Sequence, residues 1–354
     1  MKKFSGEVRF FMYLLVGAFV IAVVEATHQP LIDSVARLDL TFRLLGRKLE
    51  VGQFVVSSFA LLLSFCGALL AEHLLTGGRH SALRSLLNFR SKSVRTDWVF
   101  LALTFTPFAM AATINLTTFG TMMIANNWLR AHVPPNLHVF DQSVAAFGWL
   151  ITTLLFFVSR SFTDYWTHRL FHTRVFWPLH RMHHAADELT IATAIRVHPA
   201  GLFLYPIVGM LPALLWGAPE EFVLMFYAFY LYHEFLVHSD ADIEWGWIGR
   251  YVQGAPVNHK VHHSSAEEHY DKNFSTNLPV WDRLFGTFHY APEVAKVGLE
   301  PTAAERSRSI LADFVIDMRD FWMNVCREAV RAFKTLAAVP QIRTSPAVND
   351  SDRA

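Results

Sequence analysis

Long uncharged apolar runs alternate with polar segments along the first two thirds of the chain. Four of these runs predict membrane-spanning helices, because about twenty apolar residues cover the hydrocarbon core of a bilayer. The first run follows Lys2 and Lys3 as in a signal peptide, but no small-x-small cleavage site follows it, which favours an uncleaved helix. The four runs are Phe10–Val24, Val51–Ala71, Trp98–Ile114 and Val144–Val158. We expect the fourth helix to continue beyond its apolar run through Asp164 to His168.

A shorter apolar pair, Gly201–Trp216 and Phe222–Tyr232, is separated by the sequence GAPEE. A hairpin that enters the bilayer partway fits these lengths as well as two complete spans do. Further along, Phe314–Ala338 has the pattern of an amphipathic helix with cations on its polar side, which predicts packing on the histidine-rich region or on the membrane surface. From Gln341 onward the polar sequence predicts a disordered tail.

Composition agrees with a membrane protein. Hydrophobic residues make up 53% of the 354 positions and the mean hydropathy is +0.27. The net charge of +1 gives no general attraction to nucleic acid. The two cysteines, Cys66 and Cys326, cannot form a disulfide framework or a four-thiolate metal site. A metal in this chain must therefore be bound mainly through nitrogen and oxygen.

The distribution of basic residues predicts the orientation in the membrane. Five cations follow the second apolar run, whereas the connection 115–143 contains only Arg130. Because basic residues are enriched in cytoplasmic loops, we expect the segment after the second run to lie in the cytoplasm and the connection 115–143 to lie outside. The connection 27–50, with four cations, argues in the opposite direction. The five cations are Arg79, Arg84, Arg90, Lys92 and Arg95. On this basis the histidine-rich segments face the cytoplasm.

Histidine is concentrated in four short boxes. The stretch THRLFHTRVFWPLHRMHH, residues 167–184, holds five of the eighteen histidines. Its first box is H-x-x-x-H, whose two rings lie on one face of a helix, and its second is H-x-x-H-H. HEFLVH carries a third pair, and NHKVHH repeats H-x-x-H-H. The isolated histidines, which we interpret as membrane-interface residues, are His28, His73, His80, His132 and His138.

Ten clustered imidazoles exceed the ligands of one ion, and two metal ions fit the number. Imidazole suits iron, copper and zinc, while the lack of thiolates and carboxylates in the boxes argues against iron–sulfur clusters and calcium. His233 stands five residues before His238, a step that turns it about 140° away along a helix. We nevertheless include it among the candidate ligands. Candidates for supporting positions around the metals are Asp164, His198, Asn273 and Asp282.

The boxes resemble those of the membrane-bound fatty acid hydroxylase and sterol desaturase superfamily. The resemblance rests on DYWTHRLFH, HRMHH, the His238-Ser pair, and NHKVHHSSAEEHYDKNFSTNLPVWDRLFGTFHY, and it covers residues 144–290. It implies an all-α, multi-span integral membrane protein whose cytoplasmic helical cap carries the four boxes. The sequence then divides into N-terminal spans (1–143), a di-iron catalytic domain (144–290), and a C-terminal helix and tail (291–354).

The resemblance also implies the chemistry. Two non-haem iron ions would use dioxygen and two electrons to hydroxylate or desaturate an aliphatic lipid or sterol. No glycine-rich dinucleotide fingerprint is present, so we expect the electrons to come from a separate ferredoxin, cytochrome or reductase. The resemblance implies nine residues that are both catalytic and metal-ligating, namely His168, His172, His180, His183, His184, His238, His259, His262 and His263. We add His233 as a candidate for metal binding only.

Several alternatives stay open at this stage. Within the superfamily, hydroxylation, desaturation and ether-lipid cleavage share these boxes, and so do sterol, fatty acyl, sphingoid and carotenoid substrates. A non-catalytic metal-binding or metal-transport protein would favour ligands near the middle of the spans. A zinc peptidase would need H-E-x-x-H, which the sequence lacks.

Overall fold

The computed structural model describes residues 4–37, 41–44, 47–79, 82–105, 118–291, 293–300 and 308–337. Within these ranges the fold is helical, as predicted, with one addition in the connection 27–50. There the strands β1 (Thr41–Leu44) and β2 (Arg47–Glu50) form an antiparallel hairpin in which Thr41 pairs with Glu50.

The helices follow in chain order. They are α1 (Gly6–Ala36), α2 (Val51–Thr76), α3 (Ala82–Leu86), α4 (Lys92–Phe105), α5 (Thr118–His132), α6 (Val139–Phe171), α7 (Trp177–His184), α8 (Gly201–Trp216), α9 (Glu220–Val237), α10 (Trp247–Tyr251), α11 (Pro256–His262), α12 (Val280–Leu284) and α13 (Ile310–Ala337).

Three described segments are long and apolar enough to span a membrane: α1, Ser58–Thr76 of α2, and α6. They correspond to the first, second and fourth predicted spans. The third predicted span begins in α4, and its remainder, 106–114, lies outside the described residues. The predicted tail also lies outside them.

Helices α1, α2 and α9 pack together and form the larger apolar core. Two glycines allow the close approach. A Cβ atom on Gly17 of α1 would lie 2.6 Å from the ring of Phe229, and one on Gly67 of α2 would lie 2.6 Å from Val20. A side chain at either position would require the neighbouring side chain or helix to move, because such distances are below van der Waals contact.

Helix α6 carries the chain from a second apolar core, which includes Phe140 and Phe156 of this helix, into the histidine-rich region. Its first turns are separated from the rest by Gly148, whose φ of 78° is a conformation that glycine adopts without strain. Beyond this kink the helix runs through Asp164 and His168 to Phe171, as predicted, and His172 caps its end. The domain boundary predicted at residue 144 lies before this kink, in the first turns of α6.

The apolar pair 201–237 forms two helices joined by Gly217–Pro219, and both contribute to the second core, with Met210 from α8 and Phe226 from α9. Helix α8 packs on α5 and α6, while α9 packs on α1 and α2. The C-terminal helix α13 packs on α7, with Phe321 against Phe176 and Asp317 paired with Arg181. This agrees with the first of the two positions predicted for the amphipathic helix.

Candidate metal centre

Four elements that are distant in sequence bring the histidine boxes together. The boxes lie at the end of α6, along α7, at the end of α9 and along α11. The ring centroids of His172 and His262, from the first and last boxes, are only 4.8 Å apart. The predicted convergence of the four boxes is therefore present in the fold.

The imidazoles form two groups whose nitrogen atoms lie within 4.8 Å of one another. The five-histidine group consists of His168, His172, His180, His184 and His262. The four-histidine group consists of His183, His238, His259 and His263. The groups adjoin, since the rings of His184 and His263 stack at 4.5 Å.

This division explains the H-x-x-H-H pattern. Consecutive helical residues point about 100° apart, so neighbouring histidines cannot serve the same site easily. His183 belongs to the four-histidine group and His184 to the five-histidine group, and His262 and His263 divide in the same way. Each doublet thus connects the two groups, whereas a four-residue step such as His180 to His184 stays within one group.

Backbone carbonyls determine which ring nitrogen faces inward. The Nδ1 atoms of His168, His238 and His262 lie 2.7 Å from the carbonyl oxygens of Phe274, Glu234 and Lys272, respectively. A carbonyl only accepts, so each Nδ1 carries the hydrogen and each Nε2 presents a lone pair. In the five-histidine group, the Nε2 atom of His168 is 3.1 Å from that of His180.

The spacing of the inward nitrogens fits a metal ion with ligands at right angles. Adjacent Nε2 atoms are 3.0–3.2 Å apart throughout both groups. Nitrogens about 2.1 Å from one ion are separated by about 3.0 Å at right angles and by about 3.4 Å in a tetrahedron. Lone pairs this close repel one another unless a cation lies between them. The donor set therefore fits one divalent transition-metal ion in each group.

Burial keeps the rings in the form that binds metal. Loss of hydration lowers the pKa of six histidines well below the usual value, and neighbouring imidazoles lower it further; the six are His180, His183, His184, His259, His262 and His263. Burial also lowers the pKa of His238 to about 4, against the opposing hydrogen bond to the Glu234 carbonyl. These rings are neutral at pH 7, so no proton competes with a metal there.

One loop orients three members of the five-histidine group. In residues 271–274, the carboxylate of Asp271 accepts from His172 at 3.2 Å, and the carbonyls of Lys272 and Phe274 accept from His262 and His168. Asp271 and Asn273 have positive φ angles of 56° and 51°, which turn successive carbonyls toward the histidines.

Two predicted supporting residues hold this loop in place. The Asn273 amide donates to the carbonyls of Asn258 and His289. The Asp282 carboxylate, only 1% exposed, accepts from the Phe274 and Ser275 amides at 2.8 and 2.9 Å. Asp282 thereby acts on His168 through the Phe274 peptide.

Three other predicted residues have different positions from those expected. His233 lies outside both groups; its Nε2 is 2.9 Å from the Thr276 carbonyl and 3.0 Å from the Gln253 amide. The reason is the five-residue step, which turns it away from His238. Asp164 pairs with Arg160 and Tyr230 rather than with His168, which the Phe274 carbonyl already satisfies.

His198 is the last of these. Its Nε2 donates to the Phe314 carbonyl of α13 at 3.2 Å and its Nδ1 accepts from the Ala200 amide at 3.1 Å. With both ring nitrogens in use, His198 connects α13 to the domain and is not placed to bind a metal.

Sequence reasoning missed two contacts to the ligands. Tyr205 of α8 lies with its hydroxyl 3.1 Å from Nδ1 of His180, and its ring stacks on Phe171 at 4.2 Å. No pattern in the apolar run distinguishes this tyrosine. Asp271 had a weak signal, because it lies in the long motif that carried the resemblance.

Comparison with known proteins agrees with this geometry. Residues 153–287, which contain all nine histidines of the two groups, match the family model described as fatty acid hydroxylase. The chain carries a fatty acid hydroxylase domain. The resemblance that the histidine boxes indicated is thereby confirmed, and no solved structure matches the chain.

The similar proteins of known name act on different lipids. The chain is 30% identical to alkylglycerol monooxygenase of Xenopus tropicalis over 41% of its own length and 32% of that protein. It is 31% identical to ornithine lipid hydroxylase OlsE of Rhizobium tropici, over 38% and 41% of the two chains. The C-4 methylsterol oxidase erg25 of Schizosaccharomyces pombe is 25% identical, over 43% and 56%. The matched region thus covers 32–56% of the length of each of these relatives.

Proposed function

We propose that this protein is a membrane-bound di-iron oxygenase that hydroxylates an aliphatic lipid. The observation that carries the proposal is the pair of histidine groups, with lone pairs turned inward, at the end of a membrane-spanning helix of a fatty acid hydroxylase domain. The nine histidines are the proposed ligands, five for one ion and four for the other. We no longer include His233, because its ring nitrogens lie outside both groups.

Iron is the proposed metal because the reaction needs a redox-active ion. Bound iron would supply, with dioxygen and two electrons, the oxidising power to break an unactivated C–H bond. The residues of the chain hold the ions, fix the tautomers of the rings, and keep water away. Eight of the nine ligands are buried, and the ninth, His172, is partly covered by Trp177 and Phe274.

A polar cleft gives access to the centre from the side of α13. Its volume is 680 Å³, and its lining includes His172, His184 and His262 together with Arg174 and Arg327. We propose that electrons from a separate donor protein arrive here, because this cleft brings ligand rings next to solvent.

We propose that the centre faces the cytoplasm. The basic segment after α2 lies on the same side as the histidines, since Asn88 and Ser93 bond to Glu188 just beyond α7. Helix α1 also begins on this side, where Gly6 approaches Trp245. By the positive-inside rule, this side of the protein is cytoplasmic.

The relatives favour two specific alternatives for the substrate. Similarity to alkylglycerol monooxygenase supports an ether lipid, and similarity to OlsE supports an amino-acid-containing lipid. Comparative lipidomics of membranes with and without the expressed protein tests the proposal. We expect a lipid that gains one oxygen atom, and a His183→Ala variant should not produce it. A lipid that loses two hydrogens instead would indicate a desaturase, and unchanged lipids in the presence of iron, oxygen and reductant would contradict the proposal.

A further inference from the structure

The C-terminal helix α13 exposes apolar side chains along one side. Leu311 and Phe333 are each 73% exposed, and Val315 and Trp322 between them are exposed as well. Their spacings of four, seven and eleven residues bring all four to one side of a helix. These four residues form the apolar stripe of α13. Exposed apolar surface that continues over a whole helix is typical of an interaction surface.

A different side of α13 packs on the protein. Phe314 contacts Phe100 of α4, with ring centroids 6.0 Å apart, and Asp317 pairs with Arg181 of α7. At 100° per residue, the apolar stripe lies about 120° around the helix from these contacts. The packing of α13 on the domain therefore leaves the stripe exposed.

The third side of α13 is cationic. Arg327, Arg331 and Lys334 lie about 140° around the helix from the apolar stripe. Arg327 lines the polar cleft of 680 Å³, and all three cations are exposed. Between Asn324 and the end of the helix there are three cations and one acid, Glu328, which gives this part a net charge of +2. A helix with separate apolar and basic sides is typical of the membrane surface.

The contacts of α13 place it where the membrane helices leave the bilayer. Phe314 meets α4 at Phe100, near the start of the third predicted span. Asn324 donates at 2.8 Å to the carbonyl of Arg174, three residues after the end of the membrane-spanning helix α6. On α6 itself, exposed apolar side chains continue as far as Leu170. Both contacts lie at membrane boundaries, so α13 runs along the surface between them.

The last turns of α13 extend beyond the domain. All seven residues from 329 to 335 are exposed. A helix of a few turns is marginal in water, and packing of its apolar face supplies most of its stability. A bilayer or a second copy of the chain could cover this face. The net positive charge favours the bilayer, because it attracts the anionic cytoplasmic leaflet and repels the identical helix end of a second copy.

We propose that the apolar stripe of α13 is embedded in the cytoplasmic leaflet, with the cationic side of the helix turned to the lipid headgroups and the water. Helix α13 then connects the bilayer surface to α7, where its partner Arg181 lies between the ligands His180 and His183. The proposal uses the proposed orientation to name the leaflet and is otherwise independent of the oxygenase chemistry.

Fluorescence of single NBD labels tests the proposal on the full-length protein in nanodiscs of phosphatidylcholine and phosphatidylglycerol. In a Cys66→Ser protein the natural Cys326, which is exposed beside the apolar stripe, carries the label without any change to the helix. Its matched control is Arg327→Cys in a protein without the two natural cysteines, because the next residue points about 100° away. Phe333→Cys and Lys334→Cys form a second pair in the same background.

We expect brominated lipids to quench the labels at positions 326 and 333 severalfold more strongly than those at 327 and 334. Iodide in solution should give the opposite order. Stronger quenching by iodide at 326 and 333 would overturn the proposal, because the stripe would then face water. Labels at 326 and 333 that respond to neither quencher would also overturn it, since a protein partner such as a second copy would then cover the stripe.

A substitution in the stripe tests the same contact with the label at Cys326. Phe333→Gln should shift the end of α13 from bilayer to water by about tenfold, the value of burying most of one phenylalanine ring, and raise quenching by iodide accordingly. Thr335→Gln, at an exposed residue on another side of the helix, is the matched control and should leave the quenching unchanged. An equal response to the two substitutions would contradict the role of the stripe.

These measurements need no turnover. A protein whose labels respond as expected but which converts no lipid would retain this inference and contradict the proposed oxygenase. A protein that hydroxylates lipid while iodide alone quenches the label at Cys326 would do the reverse.

Discussion

Removal of the Asp282 carboxylate is expected to weaken metal binding at one of the two groups. Asp282 touches no histidine of either group, but its oxygens accept from the amides of Phe274 and Ser275 and, at 2.7 Å, from the hydroxyl of Thr287. Asp282→Ala leaves the buried Phe274 and Ser275 amides without a partner, at about 1–3 kcal/mol each, whereas the Thr287 hydroxyl still lies 3.1 Å from the Tyr165 hydroxyl. Burial raises the pKa of Asp282, so part of this loss is offset when the charge is removed. We expect a net destabilisation of about 2–4 kcal/mol.

The effect on the metal follows from the Phe274 carbonyl. Once that peptide moves, His168 loses the acceptor that holds its Nδ1 hydrogen, and loss of such a partner costs about 10- to 100-fold in metal affinity. Asp282→Asn keeps one acceptor oxygen and should lie between wild type and Asp282→Ala. Only the five-histidine group should be affected, because His168 belongs to it alone.

Iron titration against a chelator, with thermal unfolding measured on the same samples, checks this prediction. Asp33→Asn is the control, since Asp33 is exposed and its side chain bonds to Gln29. A folded Asp282→Ala protein that binds both ions with wild-type affinity would refute the orienting role. Equal weakening of both ions would show a general loss of structure instead.

Further predictions concern the ligands themselves. His183→Ala and His262→Ala should each lower the iron content by about one ion per chain and abolish activity, and His28→Ala should do neither; elemental analysis with a turnover assay decides. His233→Ala should keep both ions, and loss of one would restore His233 as a ligand. Acid should destabilise the metal-free protein: the six histidines with strongly lowered pKa stay neutral when folded, but the unfolded chain protonates them as pH falls through about 6.5. Each of these histidines then lowers the free energy of unfolding by about 1.4 kcal/mol between pH 7.5 and 5.5. A urea midpoint that does not fall over this range would contradict the burial of neutral rings.

The ligand boxes were readable from the sequence because their geometry is local. A four-residue step on a helix fixes the relation of His168 to His172 and of His180 to His184 before any tertiary contact forms. The same rule indicated that His233 faces away from His238, and the structure agrees with the rotation rather than with the inclusion of His233 among the ligands.

The supporting residues were less predictable because their contacts join distant segments. Asp271 lies 99 positions from His172, and the Phe274 carbonyl lies 106 positions from His168. Asp282 was expected near the centre from its motif, but its action through a backbone amide needs the folded loop. Asp164 had the right spacing to reach His168, yet Arg160, one turn earlier on the same helix, takes its carboxylate.

The membrane helices were also predictable in position but not in their contacts with one another. Apolar length located α1, α2 and α6, since hydrocarbon thickness sets that length directly. Periodicity did not reveal that α9 would contribute to both apolar cores, because this helix is apolar on most sides. Nor did it show that Tyr13 would stack on Tyr232, 219 positions later, at 5.3 Å.

Isotope labelling of the lipid product tests the proposed oxygenase most directly. The iron-loaded protein, supplied with an electron-donor system and lipid under ¹⁸O₂, should place one heavy oxygen atom in the product, and omission of the donor should abolish the product. Heavy oxygen that enters from labelled water rather than from dioxygen would indicate a hydrolase and contradict the account.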